Sequence, residues 1–326
     1  MHIAFAGFRH GHIYALYHLA KAHDEVEIVG AWEENPSARQ KAVMEHGVEF
    51  CYDSYEQLLA DKRVEAVAIG NYYAARGAMI IAALCAGKHV ICDKPMCTSE
   101  EEIKEIQRLA RKTRLSVFMM LDLRYHPNVL AAKQLIEQGE IGEVHNIYFG
   151  GQHPLLYGTR EGWYFEKGKH GGVINDIAVH GIDLLAYLIG QEPEEVCAAR
   201  CWNAYAVEES DFRDSAQFML KLTNGTGVIA DVSYAAPDSI GFDMPSYWDF
   251  KIWGSKGMLA FAVGRNELEL YQNGSHSVKT YSGISAPTDY LSDFLKETSG
   301  ENPLLLDTHA SLRAAANTLK IQTASQ

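Results

Sequence analysis

The stretch His2-Ile3-Ala4-Phe5-Ala6-Gly7-Phe8-Arg9-His10-Gly11-His12, followed by a helical pattern over 13–22, decides the fold. An apolar strand runs into a glycine-bearing turn and then into a helix. That order lets backbone N–H groups at a helix N-terminus approach a pyrophosphate. The turn carries Arg9 and His12 where G-x-G-x-x-G would have glycine, so alone it also fits an ordinary βα turn. The next strand strengthens the dinucleotide reading. It ends Ala31-Trp32-Glu33-Glu34, about 20 residues after the turn, where a carboxylate can accept both adenosine ribose hydroxyls. A carboxylate there repels a 2′-phosphate, which selects NAD over NADP. The expected cofactor contacts are Gly7, Phe8, Arg9, His10, Gly11, His12 and Glu33.

Outward from this turn, short apolar runs at 26–32, 48–51, 64–69, 89–93 and 116–122 alternate with helical patterns such as 75–86 and 100–111. Ser99 and Glu102 stand at capping-box spacing, and Gly87 is placed to close the preceding helix. Such alternation predicts βαβ units and a doubly wound parallel sheet. The texture changes near residue 123. Beyond a helix that follows Pro127, strand-like runs dominate at 144–150, 196–202, 212–222, 226–234, 248–253, 258–262 and 267–271. One helix interrupts them at 176–189, and the last ~35 residues are again helical. The expected architecture is an α/β Rossmann domain over 1–122. An α+β domain with a large, mostly antiparallel sheet follows over 123–326.

A length of 326 residues suits two domains of ordinary size. The net charge of −13 disfavours nucleic acid and anionic membrane surfaces as partners. No apolar run approaches the ~20 residues of a membrane helix, and an apolar strand at residue 2 leaves no room for a leader. Six cysteines form no CxxC pair and read as reduced thiols, so a cytoplasmic location is expected. Cys197 and Cys201 lack a second pair, and His10 and His12 fall in the dinucleotide turn. No metal is therefore expected.

The segment Gly87-Lys88-His89-Val90-Ile91-Cys92-Asp93-Lys94-Pro95 resembles the "GKHV…EKP" stretch of the Gfo/Idh/MocA oxidoreductases, the family of glucose-fructose oxidoreductase and inositol 2-dehydrogenase. Gly171-Gly172 with Asp176, His180 and Asp183 resembles the family's G-G-x-x-x-D-x-x-x-H-x-x-D segment. Arg124-Tyr125 and the run 139–144 also resemble family features. Asp93 replaces the usual Glu, and Asn71-Tyr72-Tyr73-Ala74 replaces a Thr-Pro-x-x-His loop, with Asn71 still expected at the cofactor. The resemblance implies an NAD-dependent dehydrogenase acting on a sugar, inositol or related polyol, assembled as a homodimer or homotetramer, with a cis Lys94–Pro95 bond. Relatives also include NAD-dependent glycosidases that oxidise transiently and non-catalytic dinucleotide-binding regulators.

The residue types suit the chemistry. Hydride leaves to the nicotinamide while a base takes the hydroxyl proton and a cation stabilises alkoxide character. Histidine titrates near neutrality, so His180 is the expected acid/base. Lys94 is expected to hold the same oxygen. Asp176, one helical turn before His180, is expected to bind substrate or orient the imidazole, and Asp183 to be structural. Arg124, Gln152, Tyr157 and Trp163 are further expected substrate contacts.

Overall fold

In a computed structural model of the chain, which describes residues 1–325, β1 (His2–Ala6) is buried at four of its five positions. A strand with apolar side chains on both faces belongs in a sheet covered on both sides. After it come α1 (His12–Ala22), β2 (Glu27–Trp32), α2 (Pro36–His46), α3 (Tyr55–Ala60), β3 (Ala66–Ile69), α4 (Tyr73–Cys85), β4 (His89–Cys92), α5 (Glu100–Thr113) and β5 (Val117–Met119). The five strands are parallel, in the order β2-β1-β3-β4-β5. Strand order reverses between β1 and β3, the point where doubly wound sheets bind ligands. The expected helix signals are in place. Ser99 Oγ accepts from the Glu102 N–H at 3.2 Å, and Gly87 adopts φ +76° after α4. The run at 48–51 is a correction: it forms only one bridge, Ala31 to Phe50. The N–H groups of Cys51 and Tyr52 both reach the Ala31 carbonyl, so the segment meets β2 at a point instead of running along it.

The chain divides into two units. One holds Met1–Met120, Gly168–Gly171 and Tyr290–Ala316; the other holds Leu121–Lys167, Gly172–Asp289 and the residues from Asn317 onward. Sequence patterning assigns everything after 122 to the second domain, whereas Tyr290–Ala316 belongs with the first unit. The reason lies at the edge strand β5. Thr308 Oγ1 accepts from the Val117 N–H at 2.9 Å, and Ser311 Oγ from the Met119 N–H at 3.2 Å. Phe294 packs its ring on Phe118, with 5.4 Å between centroids. An edge strand with unpaired N–H groups is thereby covered.

The second unit contains α6 (Pro127–Glu137), β6 (Val144–Pro154), a π-helical turn (Ile174–Ala178), α7 (Val179–Ile189), β7 (Pro193–Trp202), β8 (Ser215–Leu222), β9 (Gly227–Ala236), β10 (Asp249–Gly254), β11 (Gly257–Ala262), β12 (Glu267–Gln272) and β13 (Lys279–Ser282). Eight strands form one sheet in the order β13-β12-β11-β10-β6-β9-β8-β7. Only the β6–β9 pair is parallel. Because strand side chains alternate, the sheet has two distinct faces. Phe149, Phe218 and Phe250 bury one face. A Cβ on Gly181 would lie 2.4 Å from the Phe149 ring, so α7 packs directly on β6. The opposite face carries the exposed Met219, Ile229 and Trp253.

Candidate active site

In the first unit the turn after β1 is built against the loop after β3. Gly7 has φ +84°, and a Cβ there would lie 2.6 Å from the Asn71 backbone. Only glycine combines that conformation with that approach. A Cβ on Gly11, at the start of α1, would meet nothing within 4 Å. The turn is therefore tight at its base and open at its helix end, which fits a pyrophosphate there. Glu33 is 3% exposed, and its two oxygens accept from the Phe8 N–H at 2.5 Å and the Asn35 N–H at 2.7 Å. Burial raises its carboxyl above the ordinary range despite those bonds. Phe8 itself is a core residue, surrounded by Phe5, Tyr14, Tyr17 and Phe50, and its N–H is spent on Glu33. The Arg9 N–H is likewise bonded to the Gly70 carbonyl, at 3.0 Å.

His10 and His12 both turn onto Asp93 at the end of β4. His10 Nδ1 lies 2.5 Å from one carboxylate oxygen and His12 Nδ1 3.1 Å from the other. Arg76 on α4, fully buried, binds the same carboxylate at 2.9 Å and donates to the carbonyls of Asn71 and Pro95. One guanidinium thus ties together the loops leaving β3 and β4. Sequence reading passed over Arg76, whose only signal was its place as the one cation in an apolar helix. Burial disfavours the Asp93 anion, but His10, Arg76 and His12 outweigh it and hold the carboxyl well below its usual range. Lys94 follows, 3% exposed, and the Lys94–Pro95 bond is cis.

Burial lowers His10 to about 4 against the pull of Asp93. An unfolded histidine titrates near 6.5. Between those values the unfolded chain binds a proton that the folded chain refuses, so stability is full above about 6.5 and declines as pH falls toward about 4. His10→Asn should flatten the dependence of Tm on pH across that window. An unchanged slope would assign the acid sensitivity elsewhere.

In the second unit the helix expected over 176–189 opens as a π turn. The wider turn places Asp176 among buried residues one step before α7, and such turns are frequent at functional sites. Gln322 Oε1 accepts from the N–H groups of Ile174 (3.0 Å) and Asn175 (3.2 Å), which satisfies the turn's free donors. Gly172, at φ +101°, leaves room for that amide. Asp176 accepts a hydrogen bond from the Tyr234 hydroxyl. His180 Nδ1 lies 3.5 Å from Asp122 Oδ1, and its ring packs edge-on against Trp248. Asp176 and His180 are 2% and 5% exposed. Tyr234, Trp248, Asp122 and Gln322 carried no local motif; only the tertiary fold brings them to the helix.

The expected substrate contacts fare differently. Arg124 is buried in a two-pronged pair with Asp183, Nε–Oδ2 2.6 Å and Nη2–Oδ1 2.5 Å. Its charge is neutralised inside the unit by Asp183. Gln152 lies on the other face of the second sheet. Strand alternation puts it beside Asp231 and Ser233 on the sheet face opposite α7, and its amide bonds to both. Its neighbour His153 occupies the α7 side, packed on Trp248 and bonded to the Tyr247 hydroxyl at 3.2 Å. Tyr157 donates to Glu209 at 2.9 Å, and Glu208, burial and Glu209 together raise its hydroxyl. Trp163 is buried against Tyr164.

A nucleotide-type sheet with a glycine turn and a buried lysine after β4, plus a sheet domain carrying a buried Asp–His pair, define a two-domain dinucleotide-dependent oxidoreductase. The chain matches the oxidoreductase family with the NAD-binding Rossmann fold over residues 1–121 and the GFO/IDH/MocA C-terminal domain over residues 129–260. It belongs to the GFO/IDH/MocA oxidoreductases, whose N-terminal domain binds NAD. It is similar to an uncharacterized oxidoreductase of Synechocystis, 27% identical over 77% of this chain and 68% of the relative. It is also similar to the myo-inositol 2-dehydrogenase of Thermotoga maritima, 26% identical over 65% of this chain and 61% of that enzyme. Its fold matches a levoglucosan dehydrogenase solved with NADH and L-sorbose, with TM-score 0.81 and 20% identity over 100% of this chain and 96% of that one.

Proposed function

We propose that this chain is an NAD-dependent dehydrogenase moving hydride between the cofactor and a hydroxyl-bearing carbon of a sugar, inositol or related polyol. The observation that carries the reading is the buried Asp176–His180 pair beside Trp248, joined in one chain to a NAD-binding domain with buried Lys94. The names of the inositol and levoglucosan dehydrogenases support the substrate class. When bound, NAD supplies the hydride acceptor. His180 Nδ1 faces Asp122, which leaves Nε2 to take the hydroxyl proton. Lys94 Nζ holds that same oxygen as negative charge develops on it. Asp176, oriented by the Tyr234 hydroxyl, binds a neighbouring substrate hydroxyl. Arg124 and Asp183 hold α7 in place as positioning residues. The test is a panel of sugars and polyols with NAD. Accumulating NADH supports the reading, and product formation without NADH accumulation overturns it in favour of transient oxidation.

We assign no metal to His10, His12 and Asp93, although their ligand atoms lie within 4.8 Å of one another. Arg76 already neutralises Asp93, so a dication would face an adjacent guanidinium. Cofactor choice follows from Glu33. NAD should bind at least about tenfold tighter than NADP, or about 1.4 kcal/mol, and Glu33→Ala should narrow the gap. Calorimetric titration showing equal affinities in the unaltered protein removes this role. Among the described residues no helix is long and apolar enough to cross a membrane, and none of the six cysteines is in a disulfide. The expectation of a cytoplasmic protein that binds neither membrane nor nucleic acid rests on the net charge of −13 and the cysteine pattern of the sequence. The apolar residues on the open sheet face support a homo-oligomer, which sedimentation would measure.

A further inference from the structure

Two backbone donors of the turn after β1 are already spent. The Phe8 N–H is bonded to Glu33 and the Arg9 N–H to the Gly70 carbonyl. A diphosphate at the start of α1 therefore needs charge from side chains as well as from the helix end. Cations are outnumbered in a chain of net charge −13, and the turn's own cation, Arg9, also acts on the Glu33 carboxylate.

A second source of charge is a short segment of chain. Residues Gly168–Gly171 belong to the first unit, although the chain on either side of them, Leu121–Lys167 and Gly172–Asp289, belongs to the second. Two contacts hold the segment there. The Lys169 carbonyl accepts from the Ala74 N–H at 3.0 Å, in the first turn of α4, where the N-cap Tyr72 supplies no side-chain cap. His170, 6% exposed, packs its ring on Tyr73 at 5.4 Å, and Tyr73 packs on His10 of the turn at the same separation. Anchoring thus uses the Lys169 carbonyl and the His170 ring, and does not require the Lys169 ammonium.

That ammonium goes to the cofactor turn. Lys169 Nζ lies 5.0 Å from the centre of the Tyr72 ring, and the Arg9 guanidinium lies 5.8 Å from the centre of the same ring. Tyr72 follows Asn71, whose backbone a Cβ on Gly7 would meet at 2.6 Å, so the ring stands beside the turn. One aromatic side chain gathers two cations there, one from the turn and one from residues 168–171. A ring neutralises no charge, so a cation held over its face still presents that charge to an anion. Stacking also restrains two long side chains in advance, which lowers the entropy that ordering them on a ligand would cost.

We propose that Lys169 is a cofactor-binding residue, whose ammonium joins the Arg9 guanidinium on the diphosphate of the dinucleotide. Binding is measured without turnover, so the outcome does not depend on which substrate is oxidised. The affinities of full-length protein for NADH, NADPH and ADP-ribose are measured by calorimetry at about 0.1 M and about 1 M salt, between which the screening length falls from about 10 Å to about 3 Å. Lys169→Met keeps an apolar stem for Tyr72 and removes the charge. At the lower salt it should weaken NADH and ADP-ribose alike, by about tenfold, and at the higher salt the loss should shrink toward none. Lys169→Arg, which keeps the charge, should lose much less. The inference is overturned if Lys169→Met binds ADP-ribose as tightly as the unaltered protein, or if Lys169→Arg loses as much as Lys169→Met. A loss equal at both salt concentrations marks a packing role and overturns it too. So does a loss confined to NADPH, which would assign Lys169 to a 2′-phosphate, or one confined to NADH, which would assign it to the nicotinamide end.

Discussion

His180→Ala is expected to lower kcat by about 10²–10⁴-fold, the usual contribution of a general acid–base group. NAD affinity should be nearly unchanged, because His180 lies in the second unit and the NAD-binding domain is the first. Under the proposed reaction Lys94→Ala should cost at least as much, since it would remove the cation proposed to stabilise the alkoxide. Asp122→Asn separates positioning from chemistry. It leaves a polar group 3.5 Å from Nδ1 but withdraws the negative charge beside the imidazole. kcat should fall while NAD affinity holds, because the imidazole loses the carboxylate beside Nδ1. Stopped-flow measurement of NADH formation on the true substrate decides the matter. A folded His180→Ala or Lys94→Ala protein with near-wild-type kcat would remove these residues from the reaction.

Arg124→Ala is expected to act on stability and not on substrate affinity. The guanidinium and Asp183 form a buried two-pronged pair, at 4% and 2% exposure. Removing one partner leaves the other charge buried and uncompensated, a loss of about 3–5 kcal/mol. For a unit of this size that corresponds to a fall in Tm on the order of 10 °C. The double variant Arg124→Met/Asp183→Leu should recover much of the loss, because a buried ion pair replaced by apolar groups of similar volume is often neutral. Thermal melts of the three variants measure this directly. Below the transition, KM for the substrate should stay close to wild type. A wild-type Tm combined with a raised KM would return Arg124 to the substrate site.

The sequence by itself determined the features that depend on local order. The strand–turn–helix at 2–22, the carboxylate at Glu33, the capping by Ser99, the glycine at 87 and the alternation that makes the first sheet parallel are all set by neighbours along the chain. The Asp176–His180 spacing reads in sequence as one α-helix face, but Asp176 lies in a π turn ahead of α7, a departure that local order did not signal. Only the tertiary structure decided what lies across the fold. Strand alternation is visible in sequence, but which face meets the helix is not, so only the fold shows that His153 and not Gln152 packs on the α7 side. Arg124 was legible as a cation and not as the partner of Asp183, 59 residues away. Arg76 joins two loops through carbonyls, which carry no sequence signature. The return of Tyr290–Ala316 to the first unit answers an edge strand's unpaired N–H groups, a need that appears only once the sheet has formed.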